Sequence, residues 1–594
     1  MSYDNLENVR DNPRAILEIL DESESESDNE SIFSGDSNNY EPQENEDSVE
    51  NNGTDGEQSV SDEDTDDEPP STDGWSKYGR QPDFVKHNFT AANGFKPPYS
   101  PPKEVKDFFM LFFTPELMHE FTKNTNEYAK EQIRKNTPLK ERSIWRHWVD
   151  VTNEEIMAFF GLILNMGMNP KPEIQDYFTE EWTQKSPFYK DVFSRERFFQ
   201  IFWMFHAGPL VGRRAPQVNT RGATMKNMVD YLDRKFREYY IPGRNICIDE
   251  STIGFKGKVI FKCFNPKKPT KWGLRVYVLA DSATFYITCI EPYYGSQITQ
   301  ALPRPQTPFT TRIVLHLCDK LVNATANATG YHLYIDRFYT GCDLTAELLN
   351  IGYHVTGTIQ QNRKGLPDTL TKKKLKIKKH EVAAYRKHDK MLALAWKDKR
   401  NVVMLSTWHN ISTQNMRKKV ENNVEEQFRK PVVICDYNKH MGGVDVSDQY
   451  ISSYSFIRKS KKWWRKMFFW LLEVAVVNSF ILYNLSAVAN QKPKLSHKKY
   501  RLELMKALVG DVRNREGKKR GRPSTSDQEE RLNNNPHFIY ANEKSNSKDC
   551  AVCSNRKVKG GRRETVFYCK TCSRKPGLHP GECFEKYHTL KKYK

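Results

Sequence analysis

The chain has 594 residues, of which 38% are hydrophobic and 28% are charged, and this length is enough to bury several cores. Its formal net charge of +17 conceals an asymmetry. Residues 1–75 carry 25 acidic and two basic side chains, so their net charge is −23 and that of the remaining residues is +40. Solubility needs only a modest net charge, so a body this basic indicates a polyanionic partner, with nucleic acid as the first candidate.

Residues 1–95 are acidic, rich in Ser and Asn and poor in apolar side chains, so we expect a disordered tail. Residues 96–244 predict mainly helices because their apolar side chains recur at helical spacing. Thr152 supplies an N-cap for one of them. The predicted helices are 104–113, 115–131, 152–166, 195–204 and 226–239.

From Asn245 onward the apolar period changes to two, which is typical of strands. Asp281 begins a short polar turn between two of these runs, so we interpret it as a turn residue rather than a metal ligand. Residues 362–430 are rich in Lys and indicate an insertion. The predicted strands are 246–248, 259–264, 274–280, 284–291, 332–335, 354–359, 392–396 and 402–406.

Three aspartates stand in settings unlike ordinary surface charge. Asp249 and Asp336 each close an apolar, strand-like run, and Asp445 begins a helical segment with Asp448 on the same face. A carboxylate at the end of a buried strand is costly without a cation. Carboxylate oxygens are the ligands that Mg²⁺ and Mn²⁺ prefer, so the three acids predict one divalent-metal site. Three unrelated acids are the alternative, because single aspartates at strand ends are common.

The order of these acids along the chain fits one type of chemistry. Cleavage of a phosphodiester by two metal ions needs carboxylates that hold the ions about 4 Å apart. A ribonuclease-H-like sheet supplies such acids from its first strand, from the end of a later strand and from a helix beside the sheet. The chain follows this order, with the insertion before the helix.

Residues 460–486 form an apolar segment long enough to span a membrane. Glu473 and Asn478 interrupt it, so we interpret it as a buried core helix. Its start interleaves cations with two indoles, Trp463 and Trp464. An aromatic face of this kind can stack on an unpaired base, but both tryptophans can equally begin the helix and pack in the core.

The eleven cysteines divide into two groups. Six are scattered and resemble small buried hydrophobes. Polar, acidic sequence rather than a secretory signal follows Met1, so we expect a reducing compartment, in which the five clustered cysteines are metal ligands. Two Cys-x2-Cys pairs fifteen residues apart are typical of zinc sites. The seven obvious ligands are Cys550, Cys553, Cys569, Cys572, His579, Cys583 and His588.

Two zinc sites need eight ligands, so one is missing from this set. His537 could supply it, but we interpret His537 as a solvated linker histidine. The linker itself, 511–544, is polar and basic. Within it Arg520 and Arg522 resemble an AT-hook core, narrow enough for the minor groove of A·T-rich DNA. A nuclear localisation signal and an ordinary basic linker are the alternatives.

Three segments resemble the catalytic blocks of piggyBac-type transposases. The match covers about residues 100–594 and runs on from the third block to Trp463 and the apolar helix. The first block comprises 247–251 (CIDES), 255–258 (FKGK), 265–268 (NPKK) and 271–273 (KWG); the second is 334–340 (YIDRFYT) and the third is 441–449 (MGGVDVSDQ).

This resemblance implies a cut-and-paste DNA transposase. In it Asp249, Asp336 and Asp445 bind two Mg²⁺ or Mn²⁺ ions and Asp448 assists. Such enzymes nick the transposon end, form and open a DNA hairpin, and join the ends to TTAA target DNA. Candidate DNA contacts are Trp463, which matches a family tryptophan near the hairpin, and Arg458, Lys459, Lys461, Lys462, Arg520, Arg522, Lys271 and Arg275.

We therefore expect a multidomain α+β protein with a disordered acidic N-terminus. A ribonuclease-H-like catalytic core carries an inserted segment, a helical dimerisation and DNA-binding domain flanks it, and a cross-braced, RING-like or PHD-like module with two Zn²⁺ binds transposon-end DNA. The expected boundaries are 1–95 for the tail, 96–244 and 457–510 for the helical domain, 245–361 and 431–456 for the core, 362–430 for the insertion, 511–544 for the linker and 545–594 for the module.

The leading prediction for function is an active transposase that acts in the nucleus, as a dimer or larger assembly on DNA. A domesticated, non-catalytic DNA-binding or chromatin protein derived from such an enzyme is the alternative. The intact aspartates favour the enzyme. They also disfavour a ubiquitin-type ligase with a RING-like end.

Overall fold

The computed structural model describes most of the chain after residue 73, and its described residues divide near residue 514 into two compact units. The acidic segment 1–73 and the candidate residues Arg520 and Arg522 lie outside them. The described residues are 74–77, 84, 86–96, 100–208, 223–266, 268, 270–387, 390–419, 425–456, 458–510, 512, 530–533, 535–542, 547–556, 558 and 560–593.

Helices make up most of the first unit on either side of its strands. The third helix begins after Thr152 because Thr152 and Glu155 form a capping box, as the sequence indicated for its N-cap. The helices are α1 Val105–Met110, α2 Pro115–Lys135, α3 Asn153–Met168, α4 Pro187–Val192, α5 Arg195–Met204, α6 Ala223–Tyr239, α7 Ser296–Ala301, α8 Phe309–Ala324, α9 Cys342–Asn350, α10 Val432–His440, α11 Gly443–Ser453, α12 Trp463–Ala489, α13 His497–Val509 and, in the second unit, α14 Glu582–Thr589.

The strands are concentrated between the helical segments. They are β1 Trp75–Lys77, β2 Gly94–Phe95, β3 Tyr240–Ile241, β4 Asn245–Gly254, β5 Cys263–Phe264, β6 Trp272–Asp281, β7 Ile287–Pro292, β8 His332–Ile335, β9 His354–Thr358, β10 Val382–Lys387, β11 Met391–Lys397, β12 Asn401–Ser406, β13 Thr413–Lys419 and β14 Glu425–Pro431, followed in the second unit by β15 Ile539–Ala541, β16 Lys548–Asp549, β17 Glu564–Thr565 and β18 Phe567–Cys569.

A mixed sheet of ten strands forms the centre of the first unit. Its order is β1-β10-β11-β12-β9-β8-β4-β6-β5, and β7 also pairs with β6. Strand β8 lies between β4 and β9 and is parallel to both, whereas β6 is antiparallel to its neighbours β4 and β7. Ile248 of β4 pairs with Ile335 of β8 in the parallel register. The residues that follow these two isoleucines therefore lie side by side, at the end of the sheet where β8 finishes.

Side-chain alternation along β4 divides the core between the two faces of the sheet. Ile246 and Ile248 pack with side chains of α8 and α9 on one face, whereas Cys247 between them packs with the large helical cluster on the other. Helices on both faces exclude water from the sheet, which explains why its central strands β8 and β9 are almost entirely buried.

The long helix α12 belongs to that helical cluster. It is long and apolar enough to cross a membrane, but 78% of its most apolar stretch is buried inside the protein. Glu473 in its middle is buried and forms a two-pronged ion pair with Arg501 of α13, with distances of 2.6 and 3.1 Å. The helix thus has the buried setting that we expected of a core helix.

The structure corrects two of the expected boundaries in the first unit. The predicted tail, 1–95, is too long, because β1 pairs with β10, β2 pairs with β3, and Trp75 is only 3% exposed. The predicted insertion, 362–430, is largely continuous with the central sheet, because β12 pairs with β9 and β10 and β11 follow outward. The hairpin β13–β14 alone forms a separate two-stranded sheet there.

The second unit contains two small antiparallel sheets, β15–β18 and β16–β17, followed by α14. It begins before residue 545, where we had expected it, because Arg531 donates to the carbonyl oxygen of Leu590 at 2.7 Å and Glu530 accepts from the Ser573 backbone at 2.8 Å. Part of the expected linker, 511–544, is therefore built into this unit.

Candidate functional site

Two of the four predicted acids lie next to each other on neighbouring strands in the middle of the central sheet. Asp249 follows Ile248 within β4, and Asp336 follows Ile335 at the end of β8. Because Ile248 and Ile335 pair in register, the two aspartates occupy equivalent positions on neighbouring parallel strands. Both are half-buried.

The other two acids lie on α11, which packs against β4. A Cβ atom on Gly443 would lie 2.5 Å from the Cys247 sulfur, so only glycine allows the helix to approach the strand this closely. The hydroxyl of Ser251 on β4 donates to Asp448 at 2.7 Å. Asp445, three residues earlier on the helix, is exposed. The structure therefore brings all four acids to the same end of the sheet.

Burial makes the charged forms of Asp249, Asp336 and Asp448 unfavourable. It raises the pKa of Asp249 well above its usual value, and the neighbouring charge of Glu250 acts in the same direction. Burial also raises the pKa of Asp336 and raises that of Asp448 to about 6. Hydrogen bonds offset little of this cost: Asp249 accepts from the Glu250 backbone at 2.8 Å and Asp336 accepts from the Phe338 backbone.

This donor set fits a divalent cation. Buried carboxylates with raised pKa values lack a compensating positive charge, and carboxylate oxygen is the ligand that hard divalent ions prefer. The aspartate oxygens do not form so close a group. Among the described residues, only the cysteines and histidines described below form groups of three or more ligand residues whose ligand atoms all lie within 4.8 Å of one another.

A fifth carboxylate, Glu250, lies beside Asp249 and was not predicted as a site residue. Its side chain accepts from the Tyr339 hydroxyl at 2.8 Å, and the Lys268 ammonium lies 3.6 Å away. Burial alone would raise the pKa of Glu250, but Lys268, Tyr339 and Arg275 outweigh it and lower that pKa. Its place immediately after Asp249 was the only signal in the sequence.

Asp436 on α10 forms a second polar cluster that the sequence did not reveal. Its carboxylate accepts from the Tyr334 hydroxyl at 2.6 Å and lies 3.0 Å from His409 and 3.1 Å from His440. Burial would raise the pKa of Asp436, but these three hydrogen bonds lower it below its usual value. Since Tyr334 is on β8, the cluster fixes α10, and with it the start of α11, against the strand that leads to Asp336.

The second unit contains two groups of metal-ligand type. Their eight ligand atoms divide into two sets of four, each within 4.8 Å. The two sets interleave along the chain, which is the cross-braced arrangement that we expected. One set is Cys550, Cys553, His579 and Cys583; the other is His537, Cys569, Cys572 and His588.

The prediction for His537 was wrong. Its Nδ1 atom lies 3.7 Å from the sulfur atoms of both Cys569 and Cys572, so it completes the second set instead of being solvated in a linker. His537 stands thirteen residues before Cys550, outside the short spacings that identify zinc ligands in a sequence. The pairing of β15 with β18 brings it to the site.

Hydrogen bonds to backbone carbonyls orient two of the histidines. His588 Nδ1 lies 2.7 Å from the Phe584 oxygen, and His579 Nε2 lies 3.1 Å from the Glu564 oxygen. Each ring donates a hydrogen bond through that nitrogen, so its other nitrogen keeps a lone pair that can bind a metal. Four cysteine and histidine ligands at each site fit tetrahedral Zn²⁺.

Comparisons with known proteins match both units of the chain. A family model described as "Transposase IS4" matches residues 105–480, and one described as "DDE_Tnp_1-like zinc finger" matches residues 532–589. Human PiggyBac transposable element-derived protein 3 is 23% identical over 493 residues, which cover 81% of this chain and 77% of the relative. The chain belongs to the piggyBac-type transposase family.

Further members of the piggyBac-type family show the same relationship. Human PiggyBac transposable element-derived protein 2 is 22% identical over 402 residues, which cover 66% of this chain and 63% of the relative. In fold, the chain is similar to the transposase in the cryo-EM structure of a piggyBac transposase synaptic complex with hairpin DNA. That similarity has a TM-score of 0.62 at 22% identity and covers 71% of this chain and 84% of the other.

The candidate DNA contacts of this piggyBac-type chain fall into two groups. Lys271, Lys459 and Lys461 are exposed, and Lys462 is half-buried. Arg458 and Arg275 are half-buried and have partners within the protein, since the Arg458 guanidinium donates to the Pro172 oxygen at 2.8 Å and Arg275 acts on the charge of Glu250. A DNA contact of either arginine stays a prediction.

The two tryptophans at the start of α12 differ in burial. Trp464 is 7% exposed and packs against His206, so it belongs to the core. Trp463 is half-buried, and its ring lies edge-on to Phe261 and Tyr294 at centroid distances of 5.2 and 6.2 Å. Trp463 alone therefore keeps part of its surface available to a ligand.

Proposed function

We propose that the chain is an active cut-and-paste DNA transposase that nicks transposon ends, forms and opens DNA hairpins and joins the ends to TTAA target DNA. The observation that carries this proposal is the convergence of Asp249, Asp336, Asp445 and Asp448 at one end of the sheet. Burial makes three of these charges unfavourable without a cation.

The proposed roles follow from the position of each side chain. Asp249, Asp336 and Asp445 would hold two Mg²⁺ or Mn²⁺ ions, and Asp448, oriented by the Ser251 hydroxyl, would assist. When bound, the ions activate the attacking water or 3′ hydroxyl and stabilise the leaving oxygen. The packing of α11 against β4 fixes the acids before DNA arrives, which lowers the cost of assembling the site during the reaction.

The order of the strands supports a ribonuclease-H-like core as part of the proposal. Strands β4, β6 and β7 form an antiparallel meander, and β8 and β9 continue from β4 in parallel. We further propose that the second unit binds two Zn²⁺ ions and transposon-end DNA, and that the protein acts in the nucleus as a dimer or larger assembly. The net charge of +40 after residue 75 supports the affinity for DNA.

A non-catalytic DNA-binding protein is the second candidate. The names of both human relatives mark them as derived from transposable elements, and such a descendant would keep the fold and the basic surface. It would differ from an enzyme only in failing to cleave DNA.

The test is an in vitro cleavage assay on purified protein with Mg²⁺. The substrates are TTAA-flanked duplex ends taken from the DNA on either side of the coding sequence. Asp249→Asn, Asp336→Asn and Asp445→Asn should each abolish nicking and hairpin formation and keep DNA binding, because affinity rests on Lys and Arg contacts to phosphate. Asp448→Asn should reduce cleavage less.

Asp191→Asn is the matched control, since Asp191 is an exposed aspartate on α4, a helix that carries none of the four acids. It should cleave like the wild type. If the wild type binds the ends and never cleaves them, the non-catalytic candidate is correct. If any of the three main variants cleaves fully, the metal-site assignment is wrong.

A further inference from the structure

An exposed aromatic pair lies on the strands that follow the first catalytic block. Phe264 on β5 and Trp272 on β6 are register partners across the two strands. Their ring centroids are 4.5 Å apart, yet Phe264 remains 40% exposed and Trp272 42% exposed. The Lys262 ammonium lies 4.7 Å from the Trp272 ring centroid. We refer to Phe264, Trp272 and Lys262 as the aromatic platform.

The charged residues in the sequence around the aromatic platform are all basic. Residues 254–273 contain six lysines and no aspartate or glutamate. Lys256, Lys258 and Lys271 are exposed. Like charge of this density favours a polyanion as the occupant of the surface and argues against a neutral or basic protein. Large aromatic faces among cations are the combination that single-stranded nucleic acid binds by stacking and phosphate contacts.

The aromatic platform is connected to the candidate active site. Trp272 precedes Tyr277 by five positions on β6, and Tyr277 pairs with Glu250, so the platform lies about 17 Å along the strand from the acids at ~3.3 Å per residue. At about 3.4 Å per nucleotide, this distance corresponds to roughly five nucleotides of one DNA strand. Lys268, in the turn between Phe264 and Trp272, donates to the Glu250 carbonyl at 3.0 Å and joins the two places.

The platform also continues toward Trp463. Phe261, three residues before Phe264, contacts the Trp463 ring edge-on at 5.2 Å. Aromatic side chains therefore extend from the start of α12 to the free end of the β5–β6 pair, with Lys262 between them. Phe261 itself is buried, so the aromatic faces that this row leaves open to a DNA strand are those of Trp463, Phe264 and Trp272.

We propose that the aromatic platform is a DNA subsite, at which Trp272 and Phe264 stack on an unpaired base about five nucleotides from the reacting phosphate and the surrounding lysines bind the backbone. This inference rests on the proposed function, because it names the part of the DNA that one surface of the enzyme holds. A second copy of the chain is the competing occupant of an exposed aromatic surface.

The test compares two DNA probes of equal length on protein that carries Asp249→Asn, which prevents cleavage during the measurement. One probe is a full duplex and the other ends in a five-nucleotide single-stranded extension labelled with 2-aminopurine. Trp272→Ala should weaken binding of the extended probe by about 5- to 100-fold, the range that one lost base stack produces, and change duplex binding less than about twofold. It should also restore the fluorescence that stacking quenches.

Two further variants separate stacking from folding and from general exposure. Trp272→Phe keeps an aromatic face and should restore most of the affinity for the extended probe. Trp182→Ala removes a tryptophan that is 84% exposed elsewhere in the chain, and it should change neither probe. Far-UV circular dichroism of each variant should match that of the wild type.

Three outcomes overturn the proposal. Equal loss of affinity for both probes makes the platform part of a basic surface without stacking. Unchanged affinity for the extended probe removes it from the DNA path. A dimer in light scattering that Trp272→Ala converts to monomer assigns the platform to a second copy. Absence of binding to either probe by the Asp249→Asn protein would instead contradict the proposed function, so the two failures are distinguishable.

Discussion

The hydroxyl of Ser251 donates a 2.7 Å hydrogen bond to the carboxylate of Asp448, although the two residues are 197 positions apart in the sequence. The bond joins β4, which carries Asp249, to α11, which carries Asp445. It is one of few contacts that favour the ionised form of Asp448, and burial outweighs it and raises the pKa of Asp448 to about 6. Asp448 is therefore charged at neutral pH at the expense of stability.

Asp448→Asn should stabilise the protein above pH 6 when no divalent salt is present. The folded pKa of about 6 is higher than the ordinary value of 3.8, so the protonated carboxyl stabilises the fold fully below pH 3.8, and this contribution is lost as the pH rises through 6. A tenfold change in ionisation corresponds to about 1.4 kcal/mol, so the charge costs roughly 3 kcal/mol at pH 7. Asparagine avoids that cost.

Melting temperatures between pH 4 and pH 8 check this prediction. The advantage of Asp448→Asn over the wild type should grow from pH 4 to pH 6 and then level off, and added Mg²⁺ should reduce it, because a bound cation stabilises the charged form. The exposed control Asp191→Asn should show no such trend. A difference in melting temperature that is constant with pH would contradict the raised pKa.

The buried ion pair between Arg501 and Glu473 predicts a large and asymmetric effect of mutation. Arg501→Met leaves the Glu473 carboxylate alone in the core and should cost about 3–5 kcal/mol. The double variant Arg501→Met/Glu473→Leu removes both charges and should recover most of the melting temperature. Lys226→Met breaks the exposed pair with Asp230 and should change stability by less than about 0.5 kcal/mol. An Arg501→Met variant as stable as this control would show that the pair is not buried in solution.

The acids at the end of the sheet were visible in the sequence because each follows a local apolar pattern. The Glu250 contacts with Lys268 and Tyr339 were not, because they depend on how a loop folds back over the strand. The cluster around Asp436 joins residues from β8, α10 and the turn after β12, and no short window of sequence contains it. Local patterns therefore indicate which residues bear the chemistry, but not which partners set their charge.

The helices and strands were likewise predicted where a local pattern marks them and missed where it does not. Strand 332–335 and helix 195–204 have the bounds that were predicted, because Asp336 follows the strand and Ser194 caps the start of the helix. Strands β10, β13 and β14 were missed because their lysine and arginine residues hide the alternation. Arg458 shows the limit for surface charge: the sequence marks it as basic, but only the structure shows that the Pro172 oxygen accepts from it.

The two metal sites of the second unit predict a stepwise loss of zinc. Metal analysis of the purified protein should find about two zinc ions per chain. His537→Ala and Cys550→Ser should each lower this to about one or less, because each removes one of four ligands from a different site. Both should unfold the unit around residues 530–593, since a small zinc domain takes its folding free energy from the metal.

The first unit supplies the control for this experiment. His119→Ala replaces an exposed histidine on α2 and should leave the zinc content unchanged. Thermal scans of the His537→Ala and Cys550→Ser proteins should keep the transition of the central sheet, which contains neither metal site. A His537→Ala protein that still holds two zinc ions would return His537 to the solvated role that its sequence position indicated.

The neighbouring tryptophans of α12 should respond differently to truncation. Trp464→Ala opens a cavity in the core and should cost about 3–5 kcal/mol, so the melting temperature and every reaction step should fall together. Trp463→Ala removes a half-buried ring that rests on Phe261 and Tyr294. If this ring replaces lost base stacking in the hairpin, first-strand nicking should survive while hairpin formation or opening slows about tenfold, which corresponds to ~1.4 kcal/mol.

A stepwise assay with separate nicked and hairpin substrates distinguishes these effects. Trp463→Phe is the matched variant, because it keeps an aromatic face at the same position and should recover part of the hairpin step. The melting temperature of Trp463→Ala should fall less than that of Trp464→Ala, since the Trp463 ring is half-buried and its ring contacts are edge-on. A Trp463→Ala protein that melts as early as Trp464→Ala, with nicking and hairpin formation reduced equally, would make both tryptophans core residues and leave the hairpin without an aromatic contact at this helix.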